Sequence, residues 1–218
     1  MSVEDLLAHP LLWRGQEGDF GGVTAIATGF ADLDRYLPGG GWPLAGISEI
    51  FIERYGLGEL RVLMPALAAL SQRAIETRQW IVWIAPPFVP YAPALAEHGV
   101  DLSRILLVHP GGSKSGSRRK RKGADPQDAL WAIEQVIRSR SSIAVLAWVK
   151  EADVPALRRL QLGAETYRCW TVLFRPATAM TQSSPATLRF RLLPVEKPVG
   201  LHIEIRKCRG RRPRRFLL

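Results

Sequence analysis

Short apolar runs alternating with helix-length segments predict an α/β fold: a mainly parallel sheet flanked by helices, with antiparallel strands near the C-terminus. Three observations carry this. The runs at 47–52, 80–85, 104–109, 143–149 and 170–174 are almost continuously apolar, as strands covered on both faces must be. The segments between them have helical length or spacing. Past residue 187 the pattern switches to strict alternation, the mark of half-exposed strands.

The elements follow in order. Run 47–52 is the first core strand. Segment 60–78 reads as a helix in which Pro65 marks either a kink or the true first turn. Strand 80–85 is closed by Pro86 and Pro87. A short helix at 93–98 ends at Gly99, which suits a helix C-terminus. Strand 104–109 follows. The helix at 126–140 has Asp125 as its expected N-cap. Strand 143–149 leads to a helix capped by Asp153, which places Val154, Leu157, Leu160, Ala164 and Tyr167 on one face. The fifth strand is 170–174. Finally Leu188, Phe190 and Leu192 alternate with Arg189 and Arg191, and Leu201, Ile203 and Ile205 alternate with His202, Glu204 and Arg206.

The chain has 218 residues, 47% of them apolar, which suits one domain with short appendages. No apolar run reaches the roughly 18 residues that a membrane span needs. The first residues lack the basic stretch and long apolar core of a signal peptide. Cys169 and Cys208 have no metal-ligand spacing, and the four histidines are scattered, so no metal and no cofactor is expected. A reducing cytoplasm is the expected location. Cys208 lies among cations, which is expected to lower its pKa.

Charge is divided unevenly. Residues 1–108 hold 7 basic and 12 acidic side chains, a net of −5, whereas 109–218 hold 23 and 8, a net of +15. That asymmetry points to a polyanionic partner, nucleic acid first and an acidic protein surface second.

One motif adds an identification. Thr28-Gly29, Leu33-Asp34, the glycines at 39–41 and Gly46-Ile47-Ser48-Glu49-Ile50 resemble the approach to a RecA-like ATPase core. A phosphate-binding loop, G-x-x-x-x-G-K-[ST], is due next. The chain instead reads Glu53-Arg54-Tyr55-Gly56-Leu57-Gly58-Glu59-Leu60. Gly56 and Gly58 remain, and Glu59 stands in the region of the lysine. Exchanging attraction for repulsion there costs on the order of 4 kcal/mol per close charge pair. Strand 143–149 ends without the Asp that holds Mg²⁺ in such enzymes. Together these losses predict a RecA-like pseudo-ATPase, not an enzyme.

A RecA-like approach with a dead loop resembles the ImuA family of translesion-synthesis accessory proteins. Leu63-Met64-Pro65, the strand from Trp80 and Val172-Leu173-Phe174-Arg175-Pro176 carry the same resemblance. It implies an accessory role in SOS-induced mutagenesis. The implied partners are ImuB, a catalytically inactive Y-family-polymerase-like protein, an error-prone replicative-type polymerase subunit and, by our reading, RecA and DNA. The smaller SulA inhibitors of the tubulin-like division protein resemble only the middle of the chain, and SulA-like inhibition is the alternative. The division expected is an arm at 1–45, a degenerate core at 46–205 with a basic flexible loop at 110–124, and a basic tail at 206–218.

Two clusters are the candidate nucleic-acid or partner-binding residues. Arg118, Arg119, Lys120, Arg121 and Lys122 are consecutive, and such charges do not enter a core unpaired. Arg206, Lys207, Arg209, Arg211, Arg212, Arg214 and Arg215 put seven cations in ten residues. Among the tryptophans, Trp80, Trp83, Trp131, Trp148 and Trp170 are assigned to the core. Trp13 and Trp42, in loop-like surroundings, are the candidates for stacking on bases.

Overall fold

The computed structural model describes residues 24–56, 58–111, 126–195 and 200–218. A small antiparallel pair, β1 (Ala25–Ile26) and β2 (Trp42–Pro43), brackets helix α1 (Ala31–Tyr36). The core then runs β3 (Gly46–Ile52), α2 (Met64–Thr77), β4 (Trp80–Ile84), α3 (Ala92–Glu97), β5 (Ile105–Val108), α4 (Pro126–Arg138), β6 (Ser142–Trp148), α5 (Val154–Tyr167) and β7 (Trp170–Pro176). It closes with β8 (Leu188–Val195), β9 (Gly200–Cys208) and β10 (Arg214–Leu217).

Eight of these strands form one sheet in the order β5-β4-β6-β7-β3-β8-β9-β10. The six from β5 to β8 are mutually parallel, and β9 and β10 continue antiparallel. The fold is therefore mixed α/β with a large, mostly parallel sheet. All seven residues of β3 and all seven of β6 are buried, which is why they read as mostly apolar runs. Helix α2, with Leu33 and Leu37 from α1 and its C-cap, packs on one face, against Ile50, Val172, Phe174 and Phe190. Helices α4 and α5 cover Ile47, Val82, Val145 and Leu173 on the other.

Pro65 lies in the first turn of α2, preceded by a short 3-10 turn at Arg61–Leu63, so the proline starts the helix and does not kink it. Asp153 caps α5 as expected, its carboxylate accepting from Ala156 N at 2.7 Å. Val154, at the start of that helix, is exposed, while Leu157, Leu160 and Ala164 are buried. Asp125 lies outside the described residues.

The structure corrects three expectations. Trp42 is 1% exposed and stacks on Trp170 and Phe190, so it offers no face to a base. Trp131 is 65% exposed, because α4 seats itself through Ala129, Ala132, Ile133 and Ile137 and turns Trp131 outward. The end of the chain is no loose tail. Phe216 is apolar enough to join the core, and Arg214–Leu217 pairs along β9 as an edge strand. Trp13 lies outside the described residues.

Candidate functional site

The residues on which the RecA-like resemblance was read are held together by one another. Asp34 accepts from Thr28 N at 2.7 Å, and the Thr28 hydroxyl accepts from Phe30 N at 3.1 Å. Gly29, at φ +86°, packs on Pro65, where a Cβ would come within 2.6 Å of the proline ring. The turn before the sheet thus seats against the first turn of α2.

Beyond β3 the chain passes through Gly56 (φ 83°) toward α2. The Gly56 N–H points at the Glu59 carboxylate, 3.1 Å from each oxygen. Glu59 is 6% exposed. In a phosphate-binding loop such amides face the anion of the ligand. Here a carboxylate of the chain itself takes that N–H. Burial and the charge of Glu59 push the Tyr55 phenol above its ordinary pKa of 10.0. An open cavity of about 480 Å³ lies alongside, outside the carboxyl ends of the parallel strands, where α/β sheets place ligands. Its rim mixes Arg54 and Lys150 with Glu53 and Glu151, so it favours neither sign of charge.

Sequence reasoning missed a buried ionic cluster next to this loop. Glu49, fully buried in β3, accepts from Arg175 Nη1 at 2.6 Å and from Arg189 Nε at 2.7 Å. Arg175 also donates to Gln182 Oε1 at 2.9 Å, and Arg189 to the Met180 carbonyl at 3.2 Å. The signal was present: a charge inside an apolar run must find a partner, and both Glu49 and Arg175 sit in such runs. Which charge meets which depends on β7 and β8 flanking β3, and spacing along the chain does not state that.

Of the C-terminal cations, Arg209, Arg211 and Arg212 fall at the other end of the sheet, whereas Arg206, Lys207, Arg214 and Arg215 lie along β9 and β10. Leu188 pairs with Cys208, so the turn from β9 to β10 lies at the amino end of β3. Seven residues of strand, roughly 20 Å, separate it from Glu59. Arg206 and Arg215 share Glu204, each at 3.4 Å. Lys207 donates to the Ser184 carbonyl at 3.0 Å; burial, then Arg189, lowers its pKa, and Glu49 opposes them. Arg211 and Arg214 lie over the Tyr36 ring at 5.8 and 5.7 Å, and the Tyr36 hydroxyl donates to the Arg212 carbonyl. Arg209 borders a cavity of about 300 Å³. Arg118, Arg119, Lys120, Arg121 and Lys122 lie outside the described residues, so only the C-terminal cluster can be placed. The expectation for Cys208 is overturned: its burial outweighs Arg211 and pushes the thiol up to about 12. Cys169, also buried, rises to about 11.

No family model matches the chain. Protein ImuA from two strains of Caulobacter vibrioides is 26% identical over 216 residues, covering 88% of this chain and 82% of the relative. The cell division inhibitor SulA of Edwardsiella piscicida is 24% identical over 127 residues, covering 58% of this chain and 68% of that protein. The crystal structure of SulA from Pseudomonas aeruginosa superposes with a TM-score of 0.42 at 25% identity, over 60% of this chain and 97% of that one. The similarity to both proteins, fuller for the first, makes this chain an ImuA/SulA-related protein.

Proposed function

We propose that this chain is a non-catalytic, RecA-like accessory protein of damage-induced mutagenesis. It would act with an ImuB-like, catalytically inactive polymerase-family partner and bind DNA through its basic segments. The observation that carries the reading is coverage: the ImuA similarity spans 88% of the chain, the SulA similarity 58%. The non-catalytic part rests on the loop after β3. Glu59 both removes the cation that would meet a triphosphate and occupies the Gly56 amide. A triphosphate arriving there would have to displace that carboxylate and then face its charge.

The test has two arms. Affinity capture of the full chain is expected to retain the ImuB-like protein, and MgATP is expected to leave the melting temperature unchanged. ATP turnover that disappears on Gly56→Val would overturn the non-catalytic reading. The second reading is SulA-like inhibition of the tubulin-like division protein, favoured by the match over 127 residues. Filamentous growth on overexpression, with no capture of the ImuB-like protein, would establish it instead.

A further inference from the structure

The cavity beside the β9–β10 turn has no part in the reading above. It encloses about 300 Å³ at the amino end of β3, and Leu37, Pro38, Pro43 and Leu188 line it. Leu37 and Leu188 are buried members of the main core, so the hollow abuts the core, and Thr24 and Thr187 line it as well. Its volume is of the order of one large apolar side chain. Arg168 and Arg209 border it, Arg168 from the C-cap of α5 and Arg209 from the turn; both are exposed. Arg212, also exposed on that turn, and Arg214, exposed at the start of β10, add to the local positive potential. Glu165 is the single acid on the lining, and Gln161 Nε2 already donates to it at 2.7 Å.

A partly apolar hollow bordered by two guanidinium groups matches one kind of occupant. We propose that it docks an acidic segment of a protein partner, with one apolar side chain in the cavity and flanking carboxylates on Arg168 and Arg209. This deepens the partner-binding reading and rests on it. Nucleic acid fits less well. The Tyr36 ring, beside the turn, already carries Arg211 and Arg214, with which a base would have to compete. Among the described residues the cavity lining holds no aromatic side chain to serve as a stacking platform. Phosphates would engage the arginines but leave the hollow unfilled, whereas an anchored peptide uses both.

Fluorescence anisotropy of the full chain decides the matter. The probes are a labelled peptide, Asp-Glu-Leu-Phe-Asp-Glu, the same peptide with Ser-Ser in place of Leu-Phe, and a 20-nucleotide oligo(dT). The first peptide is expected to bind, the serine peptide about tenfold more weakly. R168E combined with R209E should weaken the first peptide about tenfold, a larger fold-change than for oligo(dT), which keeps the remaining cations of the basic segments. Ala45 also lines the cavity, and A45W, which fills it, should abolish the difference between the peptides with an unchanged melting temperature. Failure of the first peptide to bind, equal binding of both peptides, or indifference to R168E/R209E would overturn the proposal. So would loss of oligo(dT) alone, which would make the turn a nucleic-acid surface. Peptide binding without capture of the ImuB-like protein would sink the accessory reading and leave this one standing.

Discussion

Glu49 shows what a single buried charge demands. It has no exposure, yet it carries two guanidinium groups and stands between strands that each contribute one of them. Buried pairs gain little over an apolar core, but breaking one strands its partner. Glu49→Ala would leave Arg175 fully buried without its carboxylate, so a loss of roughly 3–5 kcal/mol is expected. Chemical denaturation of the variant against the parent checks this, and a loss under 1 kcal/mol would mean that water reaches the site. The thiols follow the same rule. Cys208 stands among cations in sequence, but desolvation governs it, because its side chain faces the core while its neighbours face solvent.

At the scale of the element, the loop from β3 to α2 and the strand β10 each reuse residues that composition alone would assign to a ligand. In the loop, Glu59 and Tyr55 report on one another. Removing the negative charge by Glu59→Gln is expected to lower the Tyr55 titration midpoint, read at 295 nm. The midpoint should stay above the ordinary 10.0, since burial is the larger cause. The raised phenol pKa contributes stability below pH 10 that is lost as pH climbs through the folded value. A midpoint unmoved by the substitution would place the carboxylate elsewhere. Strand β10 spends its apolar residue on the core and its arginines on Tyr36 and Glu204, so it is a packed edge as well as a basic surface. Its charge therefore has to be probed by substitution; deletion would also strip Phe216 from the core.

Across the whole molecule, the sheet separates two kinds of chemistry by its own length. The glutamate-filled loop stands at the carboxyl end of the parallel strands, and the arginine-rich turn at the amino end. If DNA engages six of the molecule's cations, as we propose, the log–log dependence of affinity on salt should have a slope of about −4 to −5. Anisotropy with oligo(dT) from low to physiological salt measures it, and a slope near zero would remove DNA from the list of partners. Among the described residues no helix is long and apolar enough to cross a membrane.

The sequence by itself determined the strand and helix alternation, because a strand buried on both faces must be mostly apolar and a half-exposed one must alternate. It also determined that the residues after β3 do not spell the lysine and hydroxyl of a phosphate-binding loop, a matter of residue identity. Tertiary structure alone decided what those residues touch. Trp42 looked like a loop residue until β2 laid it against Trp170 and Phe190. Arg175 and Arg189 lie 126 and 140 positions from the carboxylate they share. The basic tail became a strand once Phe216 found the core. Local pattern fixes how a segment is patterned for burial, but pairing across a sheet joins residues remote in the chain. The energies that matter at this protein's candidate sites, desolvation and charge pairing, depend on that proximity.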